Sequence, residues 1–260
     1  MPGLLTRSTP DAPWLPEYSR PGEIEWHSDQ HLTLRHIRHF RYPCEENPSP
    51  AWYQRRLDLG QLVATDLILS YWSGNCIAHA FLSFGFRDGQ WLAISVETRR
   101  RVNQPWSSFG GLWRNYPLMY VVADERDLIG VRLYTREERV YLYSLNIPPW
   151  QSTLLLRDYL LRIDKLNQHP EWYHTLGNNC TTNILRHARA VSPAIHYNWR
   201  LLLSGFADRY CYQMGLLDAR APFEKLRASS RLRMENSHPD SPSFSQEVRR
   251  HLPLYRQPDE

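Results

Sequence analysis

The run Ile77-Ala78-His79-Ala80-Phe81-Leu82-Ser83-Phe84-Gly85-Phe86-Arg87-Asp88-Gly89-Gln90-Trp91-Leu92-Ala93-Ile94-Ser95-Val96 decides the fold. Two stretches of strand-forming residues flank Arg87-Asp88-Gly89-Gln90, and Asp-Gly between two such stretches is a strong short-range hairpin signal. By alternation His79, Phe81 and Ser83 share one face of the first strand, while Ala78, Ala80, Leu82 and Phe84 share the other. On the second strand Ala93, Ser95 and Glu97 share a face. If the two strands pair about Asp88-Gly89, the Glu97 carboxylate falls near His79, where it would orient the ring and stabilise its cation. The competing reading pairs Glu97 with Arg99 or Arg100 at the surface.

Working outward, Asp66 to Tyr71, Leu118 to Val122 and Val140 to Leu145 read as further strands, and Leu57 to Val63 as a short helix. His27, His31, His36 and His39, set around Leu32 and Leu34, read as a strand pair. After Pro148-Pro149 the period changes, and Leu154, Leu155, Tyr159, Leu160 and Ile163 mark an amphipathic helix. Residues 1–22 carry five prolines and read as an irregular arm. Residues 23–228 then read as the main domain, where any catalytic residues would lie. From 229 to 260 the chain is polar and proline-bearing, and reads as a loose tail. No internal repeat is visible. A meander of strands followed by helices gives an α+β domain, an antiparallel sheet with packed helices.

The composition is globular: 42% hydrophobic and 22% charged over 260 residues, with ten tryptophans and fifteen tyrosines. A net charge of +4 falls short of a nucleic-acid signature, so no nucleic-acid partner is expected. No apolar run is long enough to span a bilayer. The start, Met1-Pro2-Gly3-Leu4-Leu5-Thr6-Arg7, does not read as a signal peptide, which leaves a cytosolic protein or a chain beginning downstream of its export signal. Cys44, Cys76, Cys180 and Cys211 lack CxxC spacing, which argues against structural zinc and neither demands nor forbids disulfides. The histidine cluster lacks co-ligands at convincing spacing, so no metal is expected there. Dinucleotide, P-loop and serine-hydrolase motifs are missing. Asp124-Glu125-Arg126-Asp127 reads either as paired carboxylates for proton transfer or, with Arg132 near, as a salt-bridge network. Arg99-Arg100-Arg101 reads as a phosphate contact or a solvated loop.

The second decisive stretch is Gly177-Asn178-Asn179-Cys180-Thr181-Thr182-Asn183. A Gly-Asn-Asn turn precedes Ile184, Leu185 and Ala188 at helical spacing, which places Cys180 in the first turn of a helix. Unpaired N–H groups and the positive end of the helix dipole favour a thiolate there, the nucleophilic form. The alternative is a small buried cysteine that only packs. A cysteine nucleophile needs a base, and His79 is the candidate, the alternative being a hydrogen-bonded histidine of the sheet. Asn179 or the backbone N–H of Cys180 is the candidate oxyanion donor, with Asn178 and Thr181 in support.

Four of these motifs in order, Ile77 to Phe86, Ile94-Ser95-Val96-Glu97-Thr98-Arg99, Val122-Ala123-Asp124-Glu125-Arg126-Asp127 and Asn178 to Asn183, with the approach Pro170-Glu171-Trp172-Tyr173-His174-Thr175-Leu176, resemble the Lnb N-terminal periplasmic domain family. The resemblance runs from about Trp14 to Arg189. It implies a circularly permuted papain-like (NlpC-type) fold, in which the histidine strand precedes the cysteine helix. It also implies Cys180 as nucleophile, His79 as base and then acid, Glu97 as the orienting residue, and no cofactor. The family's namesake is a bacterial lipoprotein transacylase, so the resemblance implies a thioester-forming acyltransferase or hydrolase acting on an acylated lipid or lipoprotein at the bacterial envelope. A peptidoglycan peptidase or a non-catalytic binding domain are the alternatives on the same fold. Periplasmic or membrane-associated placement and peripheral membrane contact follow from it. Trp106, Trp113 and Tyr116, with Gly110-Gly111, would form an apolar lip beside the nucleophile, or else pack the sheet. One position departs from the family pattern: Ile37-Arg38 is followed by His39, where members carry an acidic residue.

Overall fold

A computed structural model describes residues 13–44, 47–104, 116–175, 177–192 and 204–252. The hairpin is present as β5 (Ile77–Phe86) and β6 (Trp91–Thr98). Its loop has three residues, since the Gly89 N–H bonds the Phe86 carbonyl and the Phe86 N–H bonds the Gln90 carbonyl, both at 2.9 Å. Gly89 sits at φ +78°, the left-handed position that ends such loops and suits glycine. Leu82 then pairs with Ile94 and Ser83 with Ala93. The same register, carried further, sets His79 opposite Glu97.

The other strands are β1 (Glu23–Trp26), β2 (His31–Arg38), β3 (Trp52–Asp58), β4 (Leu62–Ser73), β7 (Leu118–Ala123) and β8 (Arg139–Ser144). They form one sheet in the order β1-β2-β7-β6-β5-β4-β8, with β3 also paired to β2. All pairings are antiparallel except β2 with β7, which meet in parallel at Arg38 and Ala123. The sheet is therefore mixed where a purely antiparallel one was expected. Both strands run to the same edge, where Arg38 forks onto Asp127 at 2.7 and 2.9 Å. The helix expected over Leu57 to Val63 is instead the end of β3, one tight turn at Leu59–Gln61 and the start of β4. The Asp58 carboxylate accepts from the Gly60 N–H there, the local bond that lets aspartate initiate a turn.

Among the described residues the helices are α1 (Glu125–Gly130), continued by a π turn at Val131–Thr135, α2 (Pro149–Gln168), α3 (Cys180–Val191), α4 (Ala207–Gln213), α5 (Phe223–Ser229) and α6 (Phe244–Glu247). None is long and apolar enough to cross a membrane. One face of the sheet, bearing Leu69, Ala80, Leu82, Phe84 and Val96, packs on Leu155, Leu156, Tyr159, Leu160 and Ile163 of α2 and Leu185 of α3. Leu154 points outward, 45% exposed, although its spacing suggested the apolar face. The opposite face, with Ile68, Phe81, Ala93 and Val121, packs on Leu128, Ile129 and Leu133 and on Leu232, Phe244 and Val248.

Those last three residues correct the expectation of a loose tail from 229 onward. Arg249 is wholly buried, donates to Asp66 at 2.8 Å and to Glu125 at 2.5 and 2.7 Å, and lies 3.3 Å from the centroid of the Trp91 ring. The apolar residues that anchor this segment are far apart among polar ones, and a buried arginine looks like a surface residue in a hydropathy pattern. The Asp124 to Asp127 knot makes the salt-bridge network: Asp124 caps α1 and faces His39, while Glu125 and Asp127 hold Arg249 and Arg38. Nor is Arg99-Arg100-Arg101 a solvated loop or a phosphate contact. Arg99 and Arg101 lie over the Trp14 ring, and Arg99 and Arg100 bond the Tyr18 carbonyl and hydroxyl. They hold the proline-rich arm, whose Trp14 and Tyr18 are buried.

Candidate active site

β5 and β6 part company beyond the Leu82–Ile94 pair, although β5 runs back to Ile77 and β6 on to Thr98. The start of α3 fills that gap. An Asn179 cap builds it: the Asn179 side-chain oxygen accepts from the Thr182 N–H at 2.8 Å, and the Thr182 hydroxyl accepts from the Asn179 N–H at 2.9 Å. Cys180 is thereby the first helical residue, half-buried against the α2 side of the sheet. Its sulfur lies near the Ala80 N–H, a ladder donor that β6 no longer uses, and near the His79 ring, both of which act on its charge. The Thr181 hydroxyl stands 3.8 Å from it.

His79 is fixed from the other side. Its Nε2 is 2.6 Å from the Ser95 hydroxyl and 3.1 Å from Glu97. Ser95 spends its only hydrogen on Glu97, at 2.7 Å, so its oxygen accepts from the Nε2–H. That sets the tautomer and leaves Nδ1 without a hydrogen, as a base requires. Glu97 is held in turn by Arg132 of the π turn at 3.0 Å, and Arg132 also donates to the Leu128 carbonyl and lies over the Phe81 ring.

The charges follow from these contacts. Burial alone disfavours the imidazolium, but the Glu97 carboxylate and the thiol outweigh it and raise the His79 pKa from 6.5 to about 9. Burial works against Glu97 ionising too, yet His79, Arg132 and Ser95 hold its pKa well below the usual range. Burial pushes the Cys180 thiol up, while the hydrogen bond and charge of His79 and the Ala80 N–H bring it below its ordinary value. A thiol lowered beside a histidine raised favours a thiolate–imidazolium pair at neutral pH. By contrast Cys211 is driven up to about 12 by burial, and Cys44 and Cys76 are exposed.

The structure brings Cys180, His79 and Glu97 together. The rival pairing of Glu97 with Arg99 or Arg100 gives way to Arg132. Asn179 spends its side-chain oxygen on the cap and one amide hydrogen on the Thr175 carbonyl at 2.5 Å, which leaves its second amide hydrogen as a candidate oxyanion donor. The Cys180 N–H, at the first helical position and without an intrahelical acceptor, is the other candidate. Asn178 supports the turn, donating to the Trp172 carbonyl and accepting from Asn183 at 2.8 Å. Of the aromatic lip, Trp106, Trp113, Gly110 and Gly111 lie outside the described residues, and Tyr116 is buried, its carbonyl taking the Tyr173 N–H.

Sequence reasoning missed Ser95 as a bridge, Arg132 as the clamp on Glu97, and Tyr173, which is half-buried within the fields of Cys180 and Glu97. Strand alternation already placed Ser95 on the face of Glu97. Arg132 gives no local signal, since only the π turn aims it. Among the described residues no group of three or more histidines, cysteines or carboxylates is placed to hold a metal.

A family model described as the Lnb N-terminal periplasmic domain matches residues 49–209. That is more than half of the chain, and the chain belongs to this family. No curated protein and no solved structure matches it.

Proposed function

We propose that the protein is a cysteine-dependent acyltransferase or hydrolase of the bacterial envelope, working on an acylated lipid or lipoprotein from the periplasmic side. We read its fold as the circularly permuted papain-like (NlpC-type) arrangement, with the histidine strand ahead of the cysteine helix. The observation that carries this reading is the junction of Cys180, His79 and Glu97 at the parting of β5 and β6, with thiol and imidazole pKa values displaced toward each other.

The Cys180 thiolate attacks the carbonyl carbon of an acyl ester, forming a C–S bond, and the oxyanion takes the Cys180 N–H. Collapse breaks the C–O bond, and the imidazolium Nδ1 gives its proton to the leaving alkoxide. An amine, or water, then attacks the thioester as Nδ1 takes its proton, and the thiol is regenerated. Ser95 accepts the Nε2–H throughout, and the Glu97 carboxylate behind it stabilises the cation. No cofactor enters these steps. An acyl-bearing substrate is supported by exposed apolar surface beside the site: Ile77, two residues from His79 on β5, is 43% exposed, and Trp72 at the same hairpin end is 47% exposed. Such surface also suits peripheral contact with a membrane.

The test sets a diacylated lipopeptide beside a muropeptide, with wild-type protein and Cys180→Ala. Cys180-dependent acyl release or migration from the lipopeptide is expected. Cleavage of the muropeptide alone would replace this reading with a peptidase, and no turnover together with no thiol labelling would replace it with a binding domain.

A further inference from the structure

Behind the nucleophile helix lies a buried chain of polar groups that the acyl transfer does not use. His187 of α3 is 1% exposed, and its Nδ1 is 2.6 Å from Asp158 of α2. Its Nε2 is 2.8 Å from the Tyr120 hydroxyl of β7, which is itself 3.1 Å from the Asn183 side-chain oxygen. The Asn183 amide nitrogen then donates at 2.8 Å to both the Asn178 side-chain oxygen and the Asn179 carbonyl. The chain thus runs from a partly exposed carboxylate to the turn that aims Cys180.

Counting hydrogens shows that this chain is one short when His187 is neutral. An ionised Asp158 only accepts, so Nδ1 carries the hydrogen and Nε2 is a bare acceptor. Tyr120 has one hydrogen for two acceptors, Nε2 and the Asn183 oxygen. One buried acceptor goes without, which is costly away from water. A proton on Nε2 removes the conflict: Nε2–H donates to Tyr120, and Tyr120 donates to Asn183.

We propose that His187 is a proton-operated positioning residue, and that its protonation turns the Tyr120 hydroxyl toward Asn183 and tightens the turn that holds Cys180 against His79. This rests on Cys180 being the nucleophile. The groups facing His187 are Asp158, Tyr159 and Arg162 from α2, Tyr120 from β7, and Asn183 and Arg186 from its own helix; Glu171 pairs with Arg162 at 2.6 Å. Burial, Arg162 and Arg186 lower the His187 pKa against the pull of Asp158, so the ring is neutral at pH 7 and the chain completes on acidification.

The experiment measures the rate of iodoacetamide alkylation at Cys180 against pH in the full chain and in Tyr120→Phe, which keeps the ring contacts and removes the hydroxyl. Histidine side-chain NMR in parallel gives the His187 pKa. The ratio of wild-type to Tyr120→Phe rates should rise about fivefold as pH falls through that value, the equivalent of one ordinary hydrogen bond. A ratio flat with pH, or rising at a pH where His187 does not titrate, overturns the proposal. The backbone amide resonances of Asn178 and Asn179 report on the turn independently of the thiol. If they follow the His187 titration while Cys180 stays unreactive, the positioning chain stands and the nucleophile reading fails. If they ignore the titration, the chain does no positioning.

Discussion

Glu97→Gln removes one charge from the centre of the site while nearly preserving its shape. In the wild-type protein that carboxylate is 3.1 Å from His79 and 3.0 Å from Arg132, in side chains 19, 17 and 6% exposed. A His79 pKa of about 9 in place of 6.5 corresponds to about 3 kcal/mol of preference for the imidazolium. Without the carboxylate that preference disappears, and Arg132 is left beside the ring to repel its cation. The thiolate–imidazolium population at pH 7 should then fall by roughly 10²-fold, allowing for some solvent screening. The sign follows from the raised pKa: the stabilising contact of His79 with Glu97 is complete below pH 6.5 and lost as pH rises through about 9. Thiolate absorbance at 240 nm and the pH profile of alkylation measure the effect. The wild type should hold its thiolate well below the pH where an ordinary cysteine ionises, and Glu97→Gln should titrate near or above it. An unchanged profile would refute the electrostatic account and reduce Glu97 to a packing role.

Three further outcomes follow from the same geometry. At pH 6 in native protein, iodoacetamide should label Cys180 well ahead of exposed Cys44 and Cys76, and leave Cys211, whose thiol burial holds at about 12, unmodified; mass spectrometry of peptides reads the order. His79→Ala and Cys180→Ala should each abolish turnover, and the double variant should be hardly slower than either, because nucleophile and base act as one unit; losses that multiply in kinetic assays would separate them. Arg249→Met should cost about 3 to 5 kcal/mol in urea unfolding, since it leaves Asp66 and Glu125 buried without their counter-charge.

The hairpin and the pairing of Glu97 with His79 were legible because both depend on periodicity two and one turn, which local sequence states outright. The start of α3 was legible for a similar reason, since capping residues and apolar spacing lie within a dozen positions. Ser95 was half visible: alternation gave its face, but its bridging role needs the register. Arg132 and Arg249 were hidden, because each acts 35 or more residues away and a charged side chain gives no hint that it is buried. The bonds Asn179 makes were hidden too, its oxygen to the cap and one amide hydrogen to Thr175, as an asparagine before a helix is equally suited to cap or to catalyse.

The buried Arg249 has a consequence for the order in which the protein assembles. Asp66 lies on β4 and Glu125 on α1, while their shared counter-ion arrives only as the 249th residue. Until that point in synthesis, the sheet face bearing Phe81 and Val121 lacks its cover of Leu232, Phe244 and Val248, and two carboxylates must stay hydrated in what becomes core. His79 and Glu97 emerge early, but the face behind them closes last. A fragment that ends with the family match at residue 209 therefore carries every proposed catalytic group and still lacks the segment that lets the sheet close over them.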